Sequence, residues 1–330
     1  MATEDARAPD RAGSTRVPDF FVVGHPKSGT TAMHHMLVTH PQIHMPVKEA
    51  RFFAPELRSR YRVVPSRLPD TLEGYLALFA GAGPEQIIGE ASPSYLRSHE
   101  AAARIAAVAP EARIIAIFRE PASFLRSFHL QSLHNHVETQ KQFRRAIELE
   151  PLRREGKRIS PLSQSPRTLL YSDHVRYVEQ LRRFHSHFSP EQVLVLIYDD
   201  FRDDNETTVR TIQRFLGVDD TLPIGRSKTR PLPGIRSLTL HQLARGYDQI
   251  RVRRPGGQAK FARRRENPVR RAWAKMVYTQ PPAVDQSLML ELRRRFKPEV
   301  LALSEYLGRD LVKLWGYDDL DGDPNSRSEG

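Results

Sequence analysis

Residues 20–31 read Phe20-Phe21-Val22-Val23-Gly24-His25-Pro26-Lys27-Ser28-Gly29-Thr30-Thr31. Four consecutive apolar residues ending at a glycine read as a short, fully buried parallel strand. A turn carrying glycine and hydroxyl residues follows. It opens onto a helical pattern that runs to about Thr39, with Ala32, Met36 and Leu37 on one face. Such a loop aims backbone N–H groups and the positive end of the helix dipole at an anion. Ser28, Thr30 and Thr31 add hydroxyl donors and Lys27 adds a point charge. The glycine spacing matches G-x-x-x-x-G-K-[ST], but the lysine stands three positions early and Thr30 occupies its place. A phosphate site is therefore expected, though not one arranged for β/γ-phosphate chemistry on magnesium ATP. The candidate magnesium carboxylates, Asp199 and Asp200, follow a tyrosine at the end of an apolar run. A P-loop kinase or NTPase is the alternative reading.

Outward from this stretch, strands are expected at Ile43–Met45, Ile87–Gly89, Arg113–Phe118 and Val193–Tyr198. Helices are expected at Ala101–Val108, from Pro121 through His129, over Tyr171–Phe188, and over Thr207–Leu216 with Gly217 as its stop. This alternation predicts an α/β fold: a P-loop-like three-layer sandwich with a central parallel sheet flanked by helices. Residues 1–17 are expected to form a disordered arm and 318–330 a disordered tail. Between them, 18–317 is expected as a single domain with a basic insert at about 235–283. The stretch Gln286–Lys313 is expected as one or two helices broken at Pro298.

The chain has 330 residues, with 39% hydrophobic and 27% charged, the balance of a soluble globular protein. It has no cysteine, which excludes a disulfide scaffold, a Cys-ligated zinc site, an iron–sulfur cluster and cysteine nucleophilic catalysis. No apolar run approaches the ~18 residues that span a bilayer, and the first residues contain no apolar signal core. A cytoplasmic location is expected, with membrane association as the other option, and the bias towards Arg and Ala suggests a high-GC bacterial source. The net charge is +12, from 51 Lys and Arg against 39 Asp and Glu. Most of it lies in His241–Met276, where eleven Lys/Arg face only Asp248 and Glu266. That segment reads as a solvated face or loop, as a surface for an anionic partner such as membrane lipid or an acidic substrate, or as a nucleic-acid contact. Zinc-finger spacing, basic-region heptads and RNP-like aromatics are all missing, so nucleic acid is not an expected partner.

The row Pro26-Lys27-Ser28-Gly29-Thr30-Thr31 resembles the 5′-phosphosulfate loop of the sulfotransferases that use 3′-phosphoadenosine 5′-phosphosulfate (PAPS). Further segments follow in the family's order. Lys48-Glu49-Ala50-Arg51-Phe52-Phe53 resembles the Lys-Glu-x-x-Phe-Phe segment of the heparan-sulfate-type and related bacterial enzymes. Glu90-Ala91-Ser92-Pro93-Ser94-Tyr95 resembles their Glu-Lys-Thr/Ser-Pro-x-Tyr segment. Arg119-Glu120-Pro121, with Ser127 eight residues after the arginine, resembles the 3′-phosphate motif. Tyr171 to Asp200, Ser227-Lys228-Thr229-Arg230-Pro231-Leu232-Pro233 and Leu292 to Trp315 resemble the remaining segments.

The resemblance implies transfer of a sulfuryl group from PAPS to a hydroxyl or amine of a glycan, lipid or small natural-product acceptor. Adenosine 3′,5′-bisphosphate would be released, and no metal would be required. Lys27 would stabilise the leaving phosphate, and Ser28, Gly29, Thr30 and Thr31 would bind it. Arg119 and Ser127 would hold the 3′-phosphate, unless Arg119 pairs with Glu120 or Asp173. Tyr171 matches a tyrosine on the adenine side, with a core role equally open. Lys228 and Arg230 match a loop that closes over the cofactor, where Thr229 replaces a glycine. Glu49 would be the general base, its pKa expected to rise through burial beside Phe52 and Phe53. A surface pair with Lys48 or Arg51 is the plain alternative for Glu49. A histidine among His25, His34, His35 and His129 is the rival base. Ala91 stands where glycan-type relatives often carry a lysine, and Lys48 or Arg97 would have to compensate.

Overall fold

The computed structural model describes residues 16–57, 69–159, 166–225, 232–243 and 274–320. Nearly all of the expected arm and tail, and the basic segment from 244 to 273, lie outside these residues. In chain order the elements are β1 (Phe20–Gly24), α1 (Thr30–Leu37), β2 (Ile43–His44), α2 (Leu72–Leu76), β3 (Ile87–Ala91), α3 (Ala101–Val108), β4 (Arg113–Phe118), α4 (Pro121–His134), α5 (Phe143–Glu148) and α6 (Glu150–Arg154). Then follow α7 (Tyr177–His185), β5 (Val193–Ile197), α8 (Tyr198–Asp203), α9 (Asn205–Leu216), β6 (Gly234–Ile235), β7 (Tyr278–Thr279), α10 (Gln286–Leu307) and α11 (Leu311–Leu314). Contacts group the chain into two compact units: residues 1–56, 62–118 and 181–228, and residues 57–61, 119–180 and 229–330.

The first unit holds a five-stranded parallel sheet of order β2-β3-β1-β4-β5, flanked by helices as the strand–helix alternation predicts. β1, β4 and β5 are continuous apolar runs, as strands covered on both faces require. Phe20 and Val22 of β1 and Ile115 and Ile117 of β4 share one buried cluster with Met33, Met36 and Leu37 of α1 and Val209, Ile212 and Leu216 of α9. Alternate residues of β1 point the other way, where Phe21 meets Phe53 edge-on with ring centroids 5.8 Å apart. Phe20 pairs with Gly89 of β3, and a Cβ at Gly89 would lie 2.2 Å from its ring. The chain crosses from β3 on one side of the central β1 to β4 on the other. In open α/β sheets the strand ends at such a reversal form the binding crevice. Here the carboxyl end of β1 leads into residues 24–29, and that of β3 into Ser92.

In the second unit, the Glu120 carboxylate caps α4 by accepting from Ala122 N at 3.0 Å and Ser123 N at 2.7 Å. Inside the unit, Arg153 pairs with Glu138 at 2.9 Å with both side chains almost fully buried. The stretch expected as one helix over Tyr171–Phe188 is a 3₁₀ turn, Tyr171–Val175, followed by α7. The expected break at Pro298 is also absent: α10 runs through that proline and ends at Gly308, which adopts the left-handed conformation. Leu288, Leu292, Phe296, Val300 and Leu303 form one buried stripe across it. Burying that stripe offsets the ~3 kcal/mol an interior proline costs.

Candidate active site

The loop between β1 and α1 is folded as an anion cradle. His25 N donates to Ile117 O at 2.6 Å, which ties the start of the loop to β4. Lys27 and Gly29 both have positive φ, 64° and 82°, so the chain curls tightly into the helix start. Gly29 is the N-cap of α1 and supplies no side-chain cap. The first amides of a helix have no acceptor within it. Ser28 is fully buried, and its Oγ has no hydrogen-bond partner among the described residues. A buried unpaired hydroxyl is costly unless a ligand completes it. Lys27 is half-buried, Thr30 buried and Thr31 exposed. The sequence-derived set Lys27 to Thr31 is thus a single turn of chain, and the orphaned Ser28 hydroxyl fits a phosphate or sulfate oxygen.

A second segment lies along the carboxyl end of β3. Lys48 forms a parallel bridge with Ala91, and Glu49 N donates to Ala91 O at 2.8 Å. Glu49 and Arg51 have φ of 65° and 51°, a conformation that costs non-glycine residues energy and clusters at functional sites. Lys48 Nζ donates to Glu49 Oε1 at 3.3 Å, and Arg51 Nε and Nη2 donate to Glu49 Oε2, the former at 3.2 Å. Burial pushes the Glu49 carboxyl up. The Arg51 guanidinium and the Lys48 ammonium together outweigh it and hold the group below the usual carboxylate range. This corrects the expected upward shift: Phe52 and Phe53 lie beside Glu49 in sequence, but two cations accompany it. The surface-pair geometry foreseen for Glu49 is therefore present, with both neighbours at once. His34 is held down to about 4, mainly by burial and then by Lys48 and His35, so its imidazole is neutral near neutral pH.

The remaining candidates lie in the second unit or outside the described residues. Arg119 directly follows β4 and is half-buried, and its carbonyl accepts from Tyr177 Oη at 2.9 Å. The two carboxylates weighed as its partners also bind other groups: Glu120 at the α4 cap and with Tyr317, and Asp173 with Arg154 at 2.7 Å. Ser127 lies half-buried on α4. Tyr171 is fully buried, donates to Glu138 Oε2 at 3.0 Å and sits 2.9 Å from His129 Nδ1. These surroundings support its core alternative. Lys228 and Arg230 lie outside the described residues. Sequence reasoning gave no role to Ser92 and Tyr95, which accept from amides of the Glu49 segment, or to Glu90, which accepts from both their hydroxyls. The signal was present, since the two segments carrying them follow one another in the resemblance.

A family model described as the sulfotransferase domain matches residues 17–228. The human bifunctional heparan sulfate N-deacetylase/N-sulfotransferase 3 is 29% identical over 213 residues, 62% of this chain and 22% of that protein. The mouse heparan sulfate glucosamine 3-O-sulfotransferase 3B1 is 30% identical over 122 residues, 37% of this chain and 28% of that protein. The chain therefore spans about a quarter of the length of these curated relatives. The crystal structure of a sulfotransferase from Alicyclobacillus acidocaldarius superposes with a TM-score of 0.63 at 25% identity, covering 91% of this chain and 99% of that one. The phosphate loop, the parallel sheet that carries it and these matches agree, and the chain belongs to the sulfotransferase domain family.

Proposed function

We propose that this sulfotransferase moves a sulfuryl group from PAPS to a hydroxyl or amine of a glycan, lipid or small-molecule acceptor, and releases adenosine 3′,5′-bisphosphate. The observation that carries the reading is the buried Ser28 hydroxyl beside Lys27 at the start of α1, which has no partner among the described residues. When bound, PAPS supplies an activated sulfuryl group on a phosphate leaving group. Lys27 and the amides of residues 28–31 take up the charge that grows on that phosphate. Glu49 accepts the acceptor's proton. Arg119 and Ser127 serve the 3′-phosphate, and Lys228 and Arg230, which lie outside the described residues, are assigned to the nucleotide by the resemblance. The kinase alternative is not favoured, because the matched family is that of the sulfotransferases.

The names of the heparan sulfate relatives put glycans first among acceptors to screen. Residence in a bacterial cytoplasm belongs to the same proposal, as does contact of the basic segment 241–276 with an anionic surface. No helix among the described residues is long and apolar enough to cross a membrane. Adenosine 3′,5′-bisphosphate at 100 times its Kd, without Mg²⁺, is expected to stabilise the folded protein by ~2.7 kcal/mol. Absence of a thermal shift at saturation refutes the cofactor reading. Lys27→Ala is expected to abolish transfer of labelled sulfate. Glu49→Gln is expected to do the same with nucleotide binding intact, and an active Glu49→Gln refutes the assignment of the base.

A further inference from the structure

We propose that Glu90 is a positioning residue for Glu49, holding the 49–53 segment in place through two hydroxyl relays. The inference rests on the reading of Glu49 as the base. Glu90 is on β3 and fully buried. Its Oε2 accepts from Tyr75 Oη at 2.7 Å and from Tyr95 Oη at 2.9 Å, and its Oε1 accepts from Ser92 Oγ.

A carboxylate can only accept, so each of these hydroxyls commits its proton to Glu90 and keeps its lone pairs for another donor. Two of them use those lone pairs on the segment that carries the base. Ser92 Oγ accepts from Arg51 N at 3.0 Å, and Tyr95 Oη accepts from Phe53 N at 3.3 Å. With Glu49 N on Ala91 O, the amides of alternate residues 49, 51 and 53 are all held by the end of β3 and the residues just after it. The segment needs this support, because Glu49 and Arg51 sit in left-handed backbone that would otherwise relax. Two of the three anchors depend on Glu90 accepting the hydroxyl protons of Ser92 and Tyr95, which fixes the direction in which those hydroxyls point. Tyr75 donates to the same carboxylate and accepts from no amide of the segment; its ring packs on Phe52 and Phe53, and Tyr75→Phe keeps that ring, so the Tyr75 hydroxyl serves as an internal control.

The test compares full-length Glu90→Gln, Ser92→Ala, Tyr95→Phe, Tyr75→Phe and Glu49→Gln with the parent protein; Glu90→Gln is expected to speed amide exchange at both Arg51 and Phe53, and unchanged exchange at both overturns the proposal. The first readout is residue-resolved amide exchange at Arg51 and Phe53. The second is release of adenosine 3′,5′-bisphosphate from saturating PAPS, with water or the best acceptor of a screen receiving the sulfuryl group. The third is the Kd for adenosine 3′,5′-bisphosphate. Ser92→Ala is expected to speed exchange at Arg51 and Tyr95→Phe at Phe53, each by ~tenfold or more. Misplacement of a catalytic group by ~1 Å can cost ~100-fold, so both are expected to lower turnover by ~10–100-fold with the nucleotide Kd within about twofold. Tyr75→Phe should leave amide exchange and turnover within about threefold of the parent, which a merely structural role for the cluster does not allow. Equal effects of Ser92→Ala and Tyr75→Phe overturn the proposal, and Tyr95→Phe repeats the comparison if Ser92→Ala does not fold. Full turnover in Glu49→Gln overturns the base assignment alone, since the exchange pattern still reports the anchors.

Discussion

Gly29→Ala tests whether the phosphate loop is shaped by the packing beneath it. A Cβ at Gly29 would lie 2.7 Å from both Cδ1 and Cε1 of Phe201, and Gly29 has φ of 82°. Two costs follow. Left-handed backbone costs an L-residue ~1–2 kcal/mol, and a methyl forced into a packed core costs ~1–3 kcal/mol. Phe201 has little room to give way, because it is 4% exposed in the cluster shared with Met33, Met36 and Val209. The expected destabilisation is ~2–4 kcal/mol, read by urea unfolding. The loop amides should also be displaced, so the Kd for adenosine 3′,5′-bisphosphate, by calorimetry, is expected to rise at least ~tenfold, equivalent to ~1.4 kcal/mol. The two costs separate in Phe201→Leu/Gly29→Ala, where the steric part is relieved and the backbone part remains. Its effect should fall short of the sum of the single changes by ~1 kcal/mol or more. A Gly29→Ala protein within ~0.5 kcal/mol of the parent, or a strictly additive pair, refutes the reasoning.

Arg51→Gln removes the stronger of the two cations that hold Glu49 low. In the proposed role Glu49 acts as a base only when ionised, so turnover is expected to fall as pH falls through its pKa. Loss of Arg51 raises that pKa, and the acid limb of the pH–rate profile is expected to move to higher pH; an unmoved limb contradicts the pairing. The His34 ring, with a pKa of about 4, is expected to show no titration in its proton resonances between about pH 5.5 and 8, and a midpoint near 6.5 contradicts the burial and charge assigned to it. Glu138→Ala leaves the buried Arg153 guanidinium without its carboxylate and is expected to cost ~3–5 kcal/mol in denaturant unfolding. A cost below ~1 kcal/mol means that the pair is not desolvated as described.

The strand–loop–helix was legible because each part has a local cause. An apolar run makes β1, a left-handed glycine ends the turn, and an amphipathic pattern makes α1. The same local logic misplaced the end of α10. A proline reads as a break, but the buried stripe Leu288–Leu303 that spans it is a tertiary fact. Tyr171 illustrates another limit: a resemblance aligns a tyrosine, while burial against Glu138 and His129 depends on segments 33 and 42 residues away. For Glu49 a pair with Lys48 or Arg51 was legible as the alternative, but that both cations engage it at once was not, for a related reason. Its cations are sequence neighbours, but only a left-handed turn at 49 and 51 brings both charges onto one carboxylate. Glu90 was visible as a motif residue, and its two relays were not, since they join β3 to a segment some 40 residues earlier.

A base held below the ordinary carboxylate range has little intrinsic pull on an alcohol proton, so basicity is not what Glu49 contributes under the proposed reaction. Sulfuryl transfer, by analogy with phosphoryl transfer, proceeds through a loose transition state in which the leaving bond breaks early. The acceptor's proton then becomes acidic only once the new bond forms, and a weak base in the right place suffices. Placement supplies far more than tuning can here, since orientation is worth ~7–11 kcal/mol against 1.36 kcal/mol for each pKa unit. The chain's own investment follows that ratio. It buries Glu90 with the Ser92 and Tyr95 hydroxyls that hold the 49–53 segment, and leaves the Glu49 charge accompanied by Arg51 and Lys48. The cations favour the ionised form of Glu49, and under the proposed relays Ser92 and Tyr95 keep it in register with the strand beside it.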